Sequence, residues 1–289
     1  MFERILLPVD GSPESDRAIR WAMTLASASD AVVHALYVID RGGVPEGIDA
    51  MNDSDRIEAD LRTVAESVVE TVAEAGREAG VRVTETITAA HPIEAILSSV
   101  PESDADLIVI GTHSPGRLDR FLHRSLGEQV AQHAPVPVLT VYTASSDRES
   151  DIERILLATD GRLSSENART CAFDLAGVFD AVVIAVYVLE SRFGTSSAIK
   201  EYLEQQGNEV MQSVRFHAAK EDVDVRTLER EGEADSEILS VAESEDVDLV
   251  VLGTHGRTGL DRVLMGSVAC RVIRNADRPV LTVPMGPAD

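Results

Sequence analysis

Apolar positions along the chain fall into short, nearly unbroken runs. Ile5 to Val9, Val32 to Ile39, Leu107 to Ile110 and Val136 to Val141 are of this kind. Runs of that length, apolar at successive positions, read as strands buried on both faces. Val81 to Thr88 alternates instead, which predicts a strand more exposed than the others. Between these runs the period changes to that of a helix. Asp53 to Glu78 repeats apolar side chains at Ile57, Leu61, Val64 and Val68, and Gly80 follows as a stop. Ser12-Pro13-Glu14 opens a helix expected to run to about Ala28, with serine at the N-cap, proline in the first turn and an acid beside it. Pro92 to Val100 and Ser125 to His133 read as shorter helices.

The pattern then starts again. Arg4-Ile5-Leu6-Leu7-Pro8-Val9-Asp10-Gly11 returns as Arg154-Ile155-Leu156-Leu157-Ala158-Thr159-Asp160-Gly161. Ala31-Val32-Val33-His34-Ala35-Leu36-Tyr37-Val38 returns as Ala181-Val182-Val183-Ile184-Ala185-Val186-Tyr187-Val188. Segment 253–283 aligns with 111–141 without a gap, with 15 identities in 31 positions that include Gly-Thr-His, Leu-Asp-Arg and Pro-Val-Leu-Thr-Val. A period of about 145 residues is too long for a solenoid and marks a tandem domain duplication. The Ser- and charge-rich stretch Thr143 to Asp151 is the expected linker, giving domains 1–145 and 151–289. Second-half strands are expected near 154–159, 182–188, 223–228, 248–252 and 279–283. Strands alternating with helices imply right-handed crossovers and a parallel sheet covered on both faces.

One stretch carries candidate chemistry. The apolar run Leu249-Val250-Val251-Leu252 ends in Gly253-Thr254-His255-Gly256-Arg257-Thr258-Gly259, and Gly266-Ser267 then precedes a helical period. A strand end and a helix start are thus joined by a loop of small residues. Free backbone N–H groups and the helix dipole both favour an anion there, such as the phosphates of a nucleotide. Asp160 stands at the end of the first strand of the same half.

The spacing Gly253-x2-Gly256-x9-Gly266-Ser267, with Asp160-Gly161 upstream, resembles the phosphate-binding signature of the universal stress protein family, whose members are α/β modules that often bind ATP. The resemblance implies two tandem doubly wound domains, each a five-stranded parallel sheet in order 3-2-1-4-5 with helices on both faces. Ligands in such sheets sit beyond the carboxyl ends of the strands, at the switch point between strands 1 and 4. By that resemblance, Gly253, Gly256 and Gly266 let backbone approach phosphates, Ser267 and Val268 donate to them, and Arg257 neutralises charge. Asp160 takes a ribose hydroxyl or an adenine edge, and Ala158 and Val188 border adenine. Each has a plain alternative: turn glycines, a helix-start serine, a capping aspartate, a solvated arginine. His255 and its twin His113 read as loop-holding side chains. The first half departs from the pattern: Ser114 replaces the second glycine and Arg124 stands where Gly266 stands, while Asp10, Val38, Gly111 and Ser125 persist. Its site is expected to be weak or empty.

Composition narrows the function classes. The 289 residues carry a net charge of −24, and Lys200 and Lys220 are the lysines. Such a surface repels nucleic-acid backbones, so no nucleic-acid partner is expected. Carboxylates are spread over every helix, as on a salt-adapted, halophilic surface. Stability is therefore expected to fall at low salt, where self-repulsion is unscreened. A melting temperature that rises from dilute buffer to molar KCl is the expected result, and an unchanged one refutes it. No segment has the roughly 18 unbroken apolar residues of a membrane helix, and the strand-like run beginning near Ile5 leaves no room for a signal peptide. A cytoplasmic, membrane-free protein is expected. Cys171 and Cys270 have no metal-ligand spacing and read as half-buried side chains.

No Walker A, kinase or G-x-S-x-G element is present, and no base is evident that would orient water. At most a slow ATPase is expected, with or without Mg²⁺. The leading reading is a stress-response module that binds ATP or another adenine nucleotide, mainly in the second half. The alternative is a nucleotide-independent scaffold acting through dimerisation. An ATP pyrophosphatase is disfavoured because no S-G-G-x-D-S loop occurs. Pro137-Val138-Leu139-Thr140-Val141 and Pro279-Val280-Leu281-Thr282-Val283 are nearly one strand. Their mutual pairing gives an intrachain pseudo-dimer; association into a homo-oligomer stays open.

Overall fold

The computed structural model describes residues 1–40, 54–112, 125–142, 152–190, 197–254 and 265–285. The first half runs β1 (Arg4–Val9), α1 (Pro13–Ser29), β2 (Val32–Ile39), α2 (Ser54–Ala79), β3 (Arg82–Ala89), α3 (Pro92–Glu102), β4 (Leu107–Thr112), α4 (Leu126–His133) and β5 (Val138–Tyr142). The second repeats it as β6 (Arg154–Ala158), α5 (Leu163–Phe179), β7 (Val182–Leu189), α6 (Ser197–Glu221), β8 (Val225–Glu231), α7 (Ala234–Ser244), β9 (Leu249–Gly253), α8 (Ser267–Asn275) and β10 (Val280–Val283).

Local sequence explains most boundaries. The Ser12 hydroxyl accepts from the Ser15 N–H at 3.2 Å and caps α1. Asp30 and Asp180 end α1 and α5 in left-handed backbone, with φ of 55° and 53°. Aspartate tolerates that conformation better than most side chains.

The strands alternate between two cores. Ile5, Leu7 and Val9 of β1 belong to one buried cluster and Leu6 to the other. In β6, Ile155 and Leu157 are divided from Leu156 in the same way. A sheet with both faces covered needs apolar side chains at consecutive positions, hence the unbroken runs.

The strand order is β3-β2-β1-β4-β5-β10-β9-β6-β7-β8. Each half shows the expected 3-2-1-4-5 order with parallel neighbours. The two sheets are continuous, however, forming one ten-stranded sheet. The junction is the antiparallel pairing of β5 with β10, where Leu281 lies opposite Leu139. The last strands therefore pair within the chain, as expected. Each covers an edge that would otherwise expose N–H and C=O groups beside apolar side chains. The outer strands β3 and β8 are half-buried to exposed along their length and rich in threonine, glutamate and arginine, which discourages further edge pairing.

Polar bonds fix the seam. The Thr140 hydroxyl donates to the Val280 carbonyl and the Thr282 hydroxyl to the Val138 carbonyl, both at 3.2 Å. The Tyr142 hydroxyl donates to the Ile273 carbonyl. Burial raises the Tyr142 phenol above its ordinary pKa, aided by the nearby Glu128 carboxylate, so it stays a donor at neutral pH. Tyr142→Phe leaves that buried carbonyl short of a bond. A loss of about 1–2 kcal/mol in urea denaturation is expected.

Candidate functional site

In the second half, β6 and β9 are adjacent and parallel, with Ala158 opposite Leu252. Their crossovers leave in opposite directions along the sheet, to β7 and to β10. The crevice beyond their carboxyl ends is therefore the topological switch point.

Thr254 ties the end of β9 to the start of α8. Its N–H donates to the Val283 carbonyl at 3.0 Å, and its carbonyl accepts from the Gly266 N–H. Gly266 is the N-cap of α8, in extended backbone, and forms no side-chain cap bond. The first intrahelical bond runs from the Cys270 N–H to the Gly266 carbonyl at 3.1 Å. The N–H groups of Ser267, Val268 and Ala269 lie before that bond, where a helix leaves donors without backbone partners. The corresponding start of α4 differs. Ser125 is its N-cap, and its hydroxyl accepts from the Glu128 N–H at 3.2 Å. One helix start is closed by its own serine; its twin is not.

Across the crevice, Asp160 holds the β6–α5 turn. Its Oδ1 accepts from the Arg162 N–H at 3.1 Å and from the Ser165 hydroxyl at 2.5 Å. Its Oδ2 lies 3.5 Å from Arg162 Nε, and the side chain is one-third exposed. Asp10 is bonded similarly, accepting from the Ser12 N–H at 2.9 Å. The N–H groups of Asp10 and Asp160 donate to the hydroxyls of Ser15 and Ser165, each at 3.3 Å. Both aspartates thus have turn-forming bonds, and the second oxygen of Asp160 faces Arg162. Sequence reasoning places Ser15 only in the helix start Ser12-Pro13-Glu14-Ser15 and does not single out Ser165. The readable signal was a serine five positions after the Asp-Gly aspartate in both halves. Gly161 follows with φ of 75°, a conformation that favours glycine.

Ala158, Leu252 and Val188 belong to the apolar cluster that also includes Val268 and Ala269 of α8. The structure therefore brings Ala158, Asp160, Val188, Gly253, Gly266, Ser267 and Val268 to one end of the sheet. Gly256 and Arg257 fall outside the described residues, as do His255, His113, Ser114 and Arg124.

In the first half, Asp10, Val38 and Gly111 line a single cavity of about 220 Å³, bordered by Leu126 beside Ser125. Gly111 has a reason for being glycine that sequence did not show. A Cβ there would lie 2.5 Å from the carbonyl carbon and oxygen of Glu14 and 2.9 Å from the Ser15 nitrogen. Close approach of β4 to the backbone of α1 demands the glycine, independent of any phosphate.

Among the described residues no cluster of histidine, cysteine or acidic side chains is arranged to hold a metal. Burial, and then Asp174, push the Cys171 thiol up to about 11, which makes it a poor nucleophile at neutral pH. No helix among the described residues is long and apolar enough to cross a membrane.

These features define a duplicated, doubly wound α/β protein with a topological switch point in each half. The sequence profile of the Universal stress protein family matches residues 1–142 and 151–284, so the chain belongs to that family twice over. A universal stress protein of Mycolicibacterium smegmatis is 30% identical over 285 residues, covering 96% of both chains. One from Methanocaldococcus jannaschii is 41% identical over 142 residues, which is 47% of this chain and 84% of the relative. The crystal structure of a universal stress protein from Archaeoglobus fulgidus DSM 4304 shares the fold, with a TM-score of 0.74 at 22% identity over 99% of this chain and 97% of that one.

Proposed function

We propose that the chain is a regulatory stress-response module that binds ATP, or another adenine nucleotide, mainly in its second half. The uncapped start of α8, tied by Thr254 to the end of β9, carries this reading. Its donors and the helix dipole suit phosphate oxygens. Gly266, Ser267 and Val268 face the phosphates, Gly253 and Gly256 allow close backbone approach, and Arg257 offsets charge. Ala158 and Val188 border the base, and the one-third-exposed carboxylate of Asp160 accepts from the sugar. The first-half set Asp10, Val38, Gly111 and Ser125 binds more weakly, because the Ser125 hydroxyl already occupies a donor of the α4 start. We place the two units at 1–145 and 151–289, in a cytoplasmic, salt-adapted protein in which nucleotide occupancy biases conformation or assembly. The nucleotide binds with or without Mg²⁺, and at most slow hydrolysis is expected.

Calorimetry with ATP and Mg²⁺ in molar KCl tests this on the intact chain and on Gly266→Arg, which copies the residue of the first half. Stoichiometric binding to a single site, lost in the variant, is expected. Binding that survives Gly266→Arg would relocate the site. No binding would leave the nucleotide-independent scaffold as the reading.

A further inference from the structure

A groove of about 260 Å³ lies on the other flank of the β6–α5 turn, between the first turns of α5 and the middle of α6. Arg162, Glu166 and Arg169 line it from one side, Glu209 and His217 from the other, and Val210 contributes apolar surface. It takes its walls from α6 rather than β9, so it is separate from the switch-point crevice.

The duplication supplies an internal reference. The bond from the Val81 N–H to the Gly76 carbonyl recurs as that from the Val223 N–H to the Ala218 carbonyl, which aligns α2 with α6. The Asp-Gly repeat aligns α1 with α5. At the positions of Arg162, Arg169, Glu209 and His217 the first half has Ser12, Ile19, Ser67 and Ala75. Small or apolar side chains in one half are thus charged or titratable in the other, all around one groove. The fold does not require these charges, because the first half adopts it without them.

Arg169 is the sharpest case. It replaces a buried isoleucine, and its side chain is only 15% exposed. Its Nη1 is buried and makes no hydrogen bond to any described residue. The Glu221 carboxylate lies 3.6 Å away, within ion-pair range but beyond a hydrogen bond, and the guanidinium sits 5.5 Å from the Phe173 ring centre. Burying a cationic donor without a hydrogen bond is costly, and native structures rarely leave one so. Nη1 itself is closed off by protein, so a ligand in the groove meets Arg169 through the rest of its side chain.

The charges around the groove bound the ligand. Arg162, which also faces Asp160, and Arg169, which also faces Glu221, share the groove with Glu166 and Glu209, and His217 can donate or accept. Glu209 is held in place by Gln205 and Gln206, at 3.0 and 3.2 Å. A plain anion gains from the arginines and loses to the glutamates; a plain cation does the reverse. A molecule with both charges gains from both. The volume falls below the roughly 300 Å³ at which pockets for drug-sized ligands begin. We propose that this groove binds a small zwitterion of amino-acid type, its carboxylate on Arg169 and its ammonium toward Glu166 and Glu209.

NMR titration of the full-length protein with L-alanine tests this, reading the Arg169 side-chain Nε–H and the His217 backbone amide. Propionate and ethylammonium, each holding one of the two charges, serve as comparisons. Saturable shifts are expected with L-alanine, and at least about tenfold weaker ones with either comparison. Arg169→Ile and His217→Ala restore first-half residues, keep the fold, and are each expected to weaken the L-alanine response about tenfold. Gly266→Arg is expected to leave it unchanged whether or not it abolishes ATP binding, so the two readings fail separately. Propionate binding as well as L-alanine would overturn the zwitterion. Unaltered binding in both restoring variants would overturn the groove as the site. No saturation by about 10 mM L-alanine would overturn the proposal as a whole.

Discussion

Gly111→Ala is expected to lower stability by about 3 kcal/mol, a large effect for one added methyl group. An alanine in place of an ordinary helical glycine usually gains about 0.5–1 kcal/mol. Here the new Cβ would sit 2.5 Å from the carbonyl carbon and oxygen of Glu14. Those atoms belong to the first turn of α1, whose Ser12 cap and tight packing on β4 prevent easy retreat. Either α1 shifts away from the sheet or β4 bends; both open the core around Trp21, which is 2% exposed. Gly177→Ala is the matched comparison. It lies inside α5, and a Cβ there meets nothing within 4 Å, so it should gain about 0.5–1 kcal/mol. Urea denaturation of the two variants should therefore move in opposite directions. Equal, small changes would show that the β4–α1 contact is looser than the structure has it. The result also bears on nucleotide binding. A binding loss in Gly111→Ala would report a displaced helix rather than a lost phosphate contact, which is why Gly266→Arg is the variant chosen above.

Arg274→Met should cost about 2–3 kcal/mol. Glu128 on α4 is almost fully buried, and Arg274 on α8 donates to it through both Nε, at 2.8 Å, and Nη2, at 2.5 Å. The hydrogen bonds to Glu128 raise the Arg274 pKa above its ordinary value, so the cation persists at every working pH. Removing the guanidinium takes two hydrogen bonds from a carboxylate that water reaches poorly. A fully buried pair broken in this way loses about 3–5 kcal/mol. The smaller figure applies because Arg274 is 40% exposed, and solvent screens part of the interaction. Glu128→Gln combined with Arg274→Met should recover most of the loss, since the buried charge is then gone. The pair joins the two halves of the chain beside the β5–β10 seam. Arg274→Met is accordingly expected to unfold with a broader transition, as the halves begin to melt separately. A sharp transition with a change below about 0.5 kcal/mol would mean the bridge is ornamental, as many exposed ion pairs are.

The sequence alone was enough for what depends on short-range physics. Buried strands such as Ile5 to Val9 announced themselves as unbroken apolar runs, because a strand covered on both faces has no polar side to show. Ser12 and Pro13 marked the start of α1 because capping acts within one turn. The duplication was visible in repeated residues, and the likeness of the two final strands pointed to their pairing. The glycine signature placed the crevice through its resemblance to a family. Tertiary structure decided what depends on groups distant in the chain. It joined two expected five-stranded sheets into one by closing β5 against β10. It showed that Gly111 is needed by Glu14, that Ser165 holds Asp160, and that Glu128 meets Arg274. It also separated Ser125, which spends its hydroxyl on its own helix, from Ser267, which follows an uncapped Gly266. The two serines look equivalent in sequence. Capping depends on backbone geometry at a helix start, and a one-residue shift in where the helix begins is set by how the strand and loop deliver the chain to it.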